Sequence, residues 1–157
     1  MKMMSLGVTA GFVLALVAGA ATSVKAQAPP PGSGPVHFSG FVRVIDGDTF
    51  EVYINGHQTG IGIIGIKAPM GNTACGMAAT QALWELMVEG NITLEEDPAI
   101  AFDSRKRRMY YVVLSDGSSL AVNMAKTGFV LPTGEGRERE DIVSAAASAA
   151  TARCARR

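Results

Sequence analysis

Apolar and polar residues alternate where the foldable part of the chain begins. Phe38, Val42 and Val44 fall at even spacing, the two-residue period of a strand with one face on a core. Asp46-Gly47-Asp48 interrupts it as a tight turn, and Thr49 to Ile54 returns as a second strand. Asn55-Gly56 follows, a pair that tolerates positive φ and predicts a two-residue hairpin loop. Gln58 to Ile66 reads as a third strand, which Gly60, Gly62 and Gly65 allow to bend or to meet another backbone closely. From Thr73 the period changes. Ala78, Ala79, Ala82 and Leu86 favour helix, Leu83, Trp84 and Met87 share one face, and Gly90 stops a helix predicted over Thr73 to Glu89. Ile92 to Glu96 and Met109 to Leu114 are the fourth and fifth strands, and Asp116-Gly117 then turns the chain. Leu120 to Thr127 is a short helix with Gly128 as its C-cap. Ser144 to Arg153 is Ala-rich and predicts a further helix, whose weak apolar face docks marginally unless Cys154 anchors it. There is no internal repeat.

Three meandering strands, a helix, two strands and then helices describe an α+β chain that is mainly β. This order fits a five-stranded Greek-key barrel of OB type with about three helices attached. The 157 residues suffice for one domain with a real core. The residues before it predict something else. Met1-Lys2 is basic, Leu6 to Ala21 is apolar, and Val24-Lys25-Ala26 and Ala26-Gln27-Ala28 are small-residue cleavage patterns. Residues 1–26 are therefore expected to be a secretory signal peptide cleaved after Ala26, the alternative being an uncleaved N-terminal anchor. Residues 27–36, with Pro29 to Pro35 reading Pro-Pro-Pro-Gly-Ser-Gly-Pro, are expected to be a linker, and 37–157 the folded domain. These readings predict a secreted or periplasmic protein with no stable membrane span after cleavage.

Export changes the charge and the cysteine chemistry. Of the 14 Lys plus Arg, Lys2 and Lys25 lie in residues 1–26, while all 14 Asp plus Glu lie beyond, so the exported part is near −2. That weakens the case for strong nucleic-acid binding, which usually rests on a basic surface. An enzyme that only processes nucleic acid needs less. In an oxidising compartment Cys75 and Cys154 are expected to form a disulfide, with free thiols or a metal role as alternatives.

Four fragments carry a resemblance. They are Val44-Ile45-Asp46-Gly47-Asp48-Thr49, Gly65-Ile66-x-Ala68-Pro69, Arg108 eight residues before Asp116-Gly117, and Ala121-Val122-Asn123-x-x-x-x-Gly128-Phe129. In this order, over roughly residues 37–131, they resemble the staphylococcal nuclease-like (thermonuclease) family, whose fold is an OB-type barrel. The resemblance implies a calcium site at Asp48, with Asp46 beside it, and a phosphate-binding arginine at Arg108. It also implies an arginine, an aspartate and a glutamate at three positions where this chain has Gly62, Lys67 and Met70. Calcium needs several oxygen ligands, and hydrolysis of a phosphodiester needs an activated water and cationic donors. Replacing a carboxylate ligand by Lys67 swings the site by two charges, and two like charges about 4 Å apart repel by about 4 kcal/mol at intermediate dielectric. Calcium would bind only if the family site survived, and the expectation is that the Lys67 ammonium takes its place beside Asp48 or Asp46.

The remaining chemistry is sparse. Arg105-Lys106-Arg107-Arg108 is the one dense basic run, read either as a solvated loop or as an anion contact. Of Tyr110 and Tyr111 one is expected in the core and the other, taken as Tyr111, free to stack on a base. Glu95-Glu96-Asp97, Glu51, His37 and His57 read as structural or surface residues. The expected function is an exported nuclease-like domain without calcium-dependent cleavage, binding nucleic acid, phosphate or another exported protein. The alternative is a weak phosphodiesterase using Asp48 and Arg108. The oligomeric state is not readable.

Overall fold

A computed structural model describes residues 35–36, 38, 40–88, 91–149 and 154. The expected signal peptide, most of the linker and His37 lie outside the described residues. The elements in chain order are β1 (Pro35–Val36), β2 (Phe41–Asp46), β3 (Thr49–Ile54), β4 (His57–Ile63), β5 (Ile66–Lys67), α1 (Ala74–Met87), β6 (Thr93–Glu96), β7 (Arg108–Val113), α2 (Leu120–Lys126), β8 (Leu131–Pro132) and α3 (Arg139–Ser148). A single 3₁₀ turn covers Pro98–Ile100. The chain is α+β, with three helices around a mixed sheet.

The sheet order is β1-β6-β7-β4-β3-β2, with β4 and β7 parallel and every other neighbour antiparallel. The expected closed barrel is not formed. Among the described residues no pairing joins β2 to β6. The two residues of β1, expected to belong to the linker, take the free edge of β6 instead. On the opposite edge β2 departs from regular register between Phe41 and Arg43 and between Val44 and Asp46, irregularities that twist an edge strand away from further pairing.

Asn55 and Gly56 both have positive φ, as the hairpin between β3 and β4 requires. The expected third strand is broken. Gly65, at φ +90°, turns the chain after Ile63, and Ile66–Lys67 leave the main sheet to pair with Leu131–Pro132. Phe50, Val52, Ile54, Ile61 and Ile63 are buried from the sheet, and Leu83, Leu120, Met124 and Ile142 meet them from the helices. Thr73 caps α1, its side chain accepting from the Gly76 N–H, and Ser119 caps α2 in the same way from Val122. The third helix begins five residues earlier than the Ala-rich run suggests and ends at Ser148. Glu140 and Asp141 favour its first turn through the helix dipole, and Ile142 and Ala145 give it a buried face. Cys75 and Cys154 are disulfide-bonded, with Cα atoms 5.6 Å apart. No described helix is long and apolar enough to cross a membrane.

Candidate functional site

The turn between β2 and β3 is clamped before any chemistry is considered. A Cβ at Gly47 would lie 2.4 Å from the Ala79 Cβ and 3.0 Å from the Ala68 Cβ, so only glycine lets α1 and the Ala68 segment press on the turn from both sides. This fixes Asp48, which is 7% exposed. Its Oδ1 accepts from the Thr49 hydroxyl at 2.7 Å and from Arg107 Nη1 at 3.0 Å, and its Oδ2 accepts from the Ala68 N–H at 2.9 Å. Asp46 stands beside it, its Oδ1 accepting from the Asp48 N–H at 3.2 Å.

Arg107 is the centre of the cluster. Its Nε donates to Asp103 Oδ2 at 3.1 Å, and Nη1 also donates to the Thr49 hydroxyl. Asp103 Oδ1 in turn accepts from the backbone N–H groups of Arg105 and Arg107, both at 2.9 Å, and so shapes the loop that delivers the guanidinium. Lys106, at φ +65°, completes that loop. The room for the guanidinium comes from Gly62, where a Cβ would lie 2.8 Å from Arg107 Nε and 2.4 Å from Met109 Sδ. The position at which the family resemblance calls for an arginine is thus empty of side chain, and an arginine from β7's approach fills the space.

These contacts set the two carboxyls apart. Burial, then the Asp48 carboxylate beside it, raises the Asp46 pKa. Burial pushes Asp48 up too, but the Ala68 N–H, the Thr49 hydroxyl, Asp46 and the Arg107 charge outweigh it, and its pKa falls below the ordinary carboxylate value. A cleft of about 290 Å³ opens over the cluster, with Lys67, Met70, Asp103, Arg105 and Glu135 on its walls.

The structure redistributes the expected site residues. Lys67 is exposed on β5, and the cation that reaches Asp48 is Arg107 rather than Lys67. Arg108 points away from the cleft. Its Nη1 donates to Glu96 Oε1 and to the Tyr110 hydroxyl, each at 2.9 Å, and its guanidinium lies 5.4 Å from the Phe102 ring centre. Both tyrosines are buried, so Tyr111 has no face for a base. Its hydroxyl donates to Asp97 Oδ2 and accepts from the Arg137 N–H, both at 2.7 Å, and the Arg137 guanidinium covers its ring at 4.2 Å. Glu95 pairs with Arg137, so the acidic run at the end of β6 is a strut between β6, β7 and the approach to α3. Glu51 holds Arg43 and Gln58 on the outer face of the sheet. His57 is exposed in the hairpin. Asp103 and Glu135 were not singled out in the sequence. The spacing of Asp103 and Arg107 was a readable signal, whereas Glu135 reaches the cleft through Gly134 and Gly136, both at positive φ. A larger groove of about 730 Å³ runs between β2 and α1, with Ile45, Met77 and Trp84 on its walls.

The residues present do not fit calcium. Asp48 and Asp103 already share a guanidinium, Lys67 brings a further positive charge to the cleft, and among the described residues no three acids, histidines or cysteines are placed to hold a metal. No family model and no curated protein matches this chain.

Proposed function

We propose that this is an exported domain of staphylococcal nuclease-like type that binds a phosphate-rich anion without hydrolysing it through calcium. One observation carries the reading: the Arg107 guanidinium lodges between Asp48 and Asp103 over Gly62. An internal cation neutralises the carboxylates that a metal would need. On the same cleft Lys67 and Arg105 are exposed and make no ion pair among the described residues, which leaves two cationic donors for an anion. Met70, where a water-activating carboxylate would stand, neither accepts a proton nor orients water. The strand order β2-β3-β4-β7-β6, with its single parallel pair, supports an OB-type sheet left open rather than a closed barrel.

The test is a cleavage assay on single-stranded DNA with calcium and with chelator, alongside anisotropy of a labelled oligonucleotide. The expected result is binding that weakens with salt and no calcium-dependent cleavage. Cleavage that needs calcium and is lost in Asp48→Ala overturns the reading.

A second reading, a weak phosphodiesterase, has its own support: Asp46, Asp48, Asp103 and Glu135 converge on one cleft. In it a water attacks the phosphorus and loses its proton to the Glu135 carboxylate on the cleft wall, and Asp46, held toward the protonated form, gives its proton to the leaving oxygen as the P–O bond breaks, while Arg107 steadies the phosphoryl charge. Chelator-resistant cleavage that disappears in Asp46→Asn favours this second reading.

A further inference from the structure

We infer that the groove between β2 and α1 is a second subsite beside the cleft, one that takes a base of a single-stranded nucleic acid stacked on Trp84 while the adjoining phosphate lies in the cleft. The inference rests on the anion-binding reading above and names the ligand class of that site. Groove and cleft are neighbours. Ile45 and Gly71 line the groove, and the residues next to them in the chain, Asp46 and Met70, line the cleft. A Cβ at Gly71 would meet the Asp46 Cβ at 3.8 Å, so the two stretches stand side by side, and glycine keeps the wall between them low. Asp46, the acid on that wall, is half-buried and turns its Oδ1 inward to the Asp48 N–H.

The groove has the chemistry a base needs. Met77, Thr80, Gln81 and Trp84 recur at the spacing of one helix face and form one wall. Ile45 stands on the other. It falls at the irregularity between Val44 and Asp46, has no register partner on β3, and its side chain is exposed, as happens where a bulge re-aims a residue. Apolar residues exposed singly need no explanation, but Ile45, Met77 and Trp84 are all exposed around one groove of about 730 Å³. An indole with an open face stacks on any base, and this attraction releases no counter-ions, so it adds affinity that the two rim cations Lys67 and Arg105 do not supply. Arg43 is the only charged residue among the described residues that line the groove. Glu51 holds its Nε, yet the side chain is largely exposed and offers positive charge to a phosphate backbone. An extended peptide fits less well, because it would pair with β2, whose irregular register interrupts the row of backbone groups such pairing needs.

Anisotropy of a labelled oligo(dT) and of an abasic strand of the same length, across a salt series, tests this. The proteins are the wild type, Trp84→Ala, Trp84→Phe and Lys67→Ser/Arg105→Ser, each with its fold checked by circular dichroism. The wild type should prefer oligo(dT) to the abasic strand. Trp84→Ala should bind oligo(dT) about 5- to 150-fold more weakly with an unchanged salt slope, and should bind the abasic strand as the wild type does. Trp84→Phe should recover most of the loss. Lys67→Ser/Arg105→Ser should weaken binding of both strands and lower the slope of log affinity against log salt by about 1.4. Equal affinity of the wild type for the two strands, or wild-type affinity of Trp84→Ala for oligo(dT), overturns the inference and leaves the groove to another occupant such as an extended peptide. A wild type that binds neither strand, or unchanged binding by Lys67→Ser/Arg105→Ser, defeats the anion-binding reading itself, and the inference with it.

Discussion

Arg107→Ala removes the internal cation and exposes its energetic role. The guanidinium is 26% exposed, whereas the Asp48 side chain is 10% and the Asp103 side chain 18% exposed. Breaking a buried ion pair by deleting one partner costs about 3–5 kcal/mol, and losing an exposed pair costs about 0–1. Asp48 keeps its bonds from Thr49 and Ala68, and Asp103 keeps its backbone donors. Partial exposure and these surviving bonds place the loss at about 2 kcal/mol near neutral pH. The pH dependence carries the sharper signature. A carboxyl whose pKa is depressed in the folded state, as for Asp48, adds stability above its unfolded pKa of about 4, and this is lost as pH falls through the folded value. Asp46, whose pKa is raised, acts in the opposite sense. It adds stability below about pH 4 that is lost as pH rises through its folded value. Taking away Arg107 weakens the Asp48 contribution, so the gap between wild type and variant is widest near pH 7 and narrows by about pH 3. Urea unfolding followed by far-ultraviolet circular dichroism at both pH values measures it. Equal midpoints near pH 7, or a gap as large at about pH 3, refute the account of Arg107 as counter-ion to Asp48.

Gly62→Ala should destabilise by about 1–3 kcal/mol, because its Cβ would meet Met109 Sδ and Arg107 Nε. In an Arg107→Ala background that cost should shrink by about 0.5 kcal/mol or more, read from a double-mutant cycle of chemical denaturation. Arg108→Ala should cost about 2–3 kcal/mol, since it removes the cation facing Glu96, whose side chain is 4% exposed and keeps the Tyr110 hydroxyl at 3.4 Å. Oligonucleotide affinity should not change, and a tenfold loss in a folded Arg108→Ala protein would return Arg108 to the site. Cys75→Ser/Cys154→Ser releases a crosslink spanning 79 residues, for which loop entropy gives about 4.5 kcal/mol; calorimetry showing under about 1 kcal/mol contradicts that origin.

Much of the fold was readable because it is local. The Asn55-Gly56 hairpin, the capped helices and the alternation of Phe50, Val52 and Ile54 follow from backbone preferences and periodicity. The opened sheet was not readable, since the pairing of β1 with β6 is long-range and leaves no local trace in the sequence. The start of α3 is not legible in the alanine run, which shows only helix propensity, because the helix is seated by Ile142 against Gly65. Within the site, the Asp48 turn was visible as a motif. Which of two adjacent arginines faces it was not. Counting back from Asp116 selects Arg108, but Asp103 winds the preceding loop so that Arg107 enters the cleft, and Arg108 follows Tyr110 to the other side of the strand. Neither count nor composition can show that winding.

Trp84, the single tryptophan, sits at the mouth of the groove between β2 and α1 and is 45% exposed. Its indole is thus half covered and half open to solvent in the folded state, whereas Tyr110 and Tyr111 are buried in the core. Quenching or a blue shift of the indole at constant fold is a label-free signal that something has settled against that face of the domain.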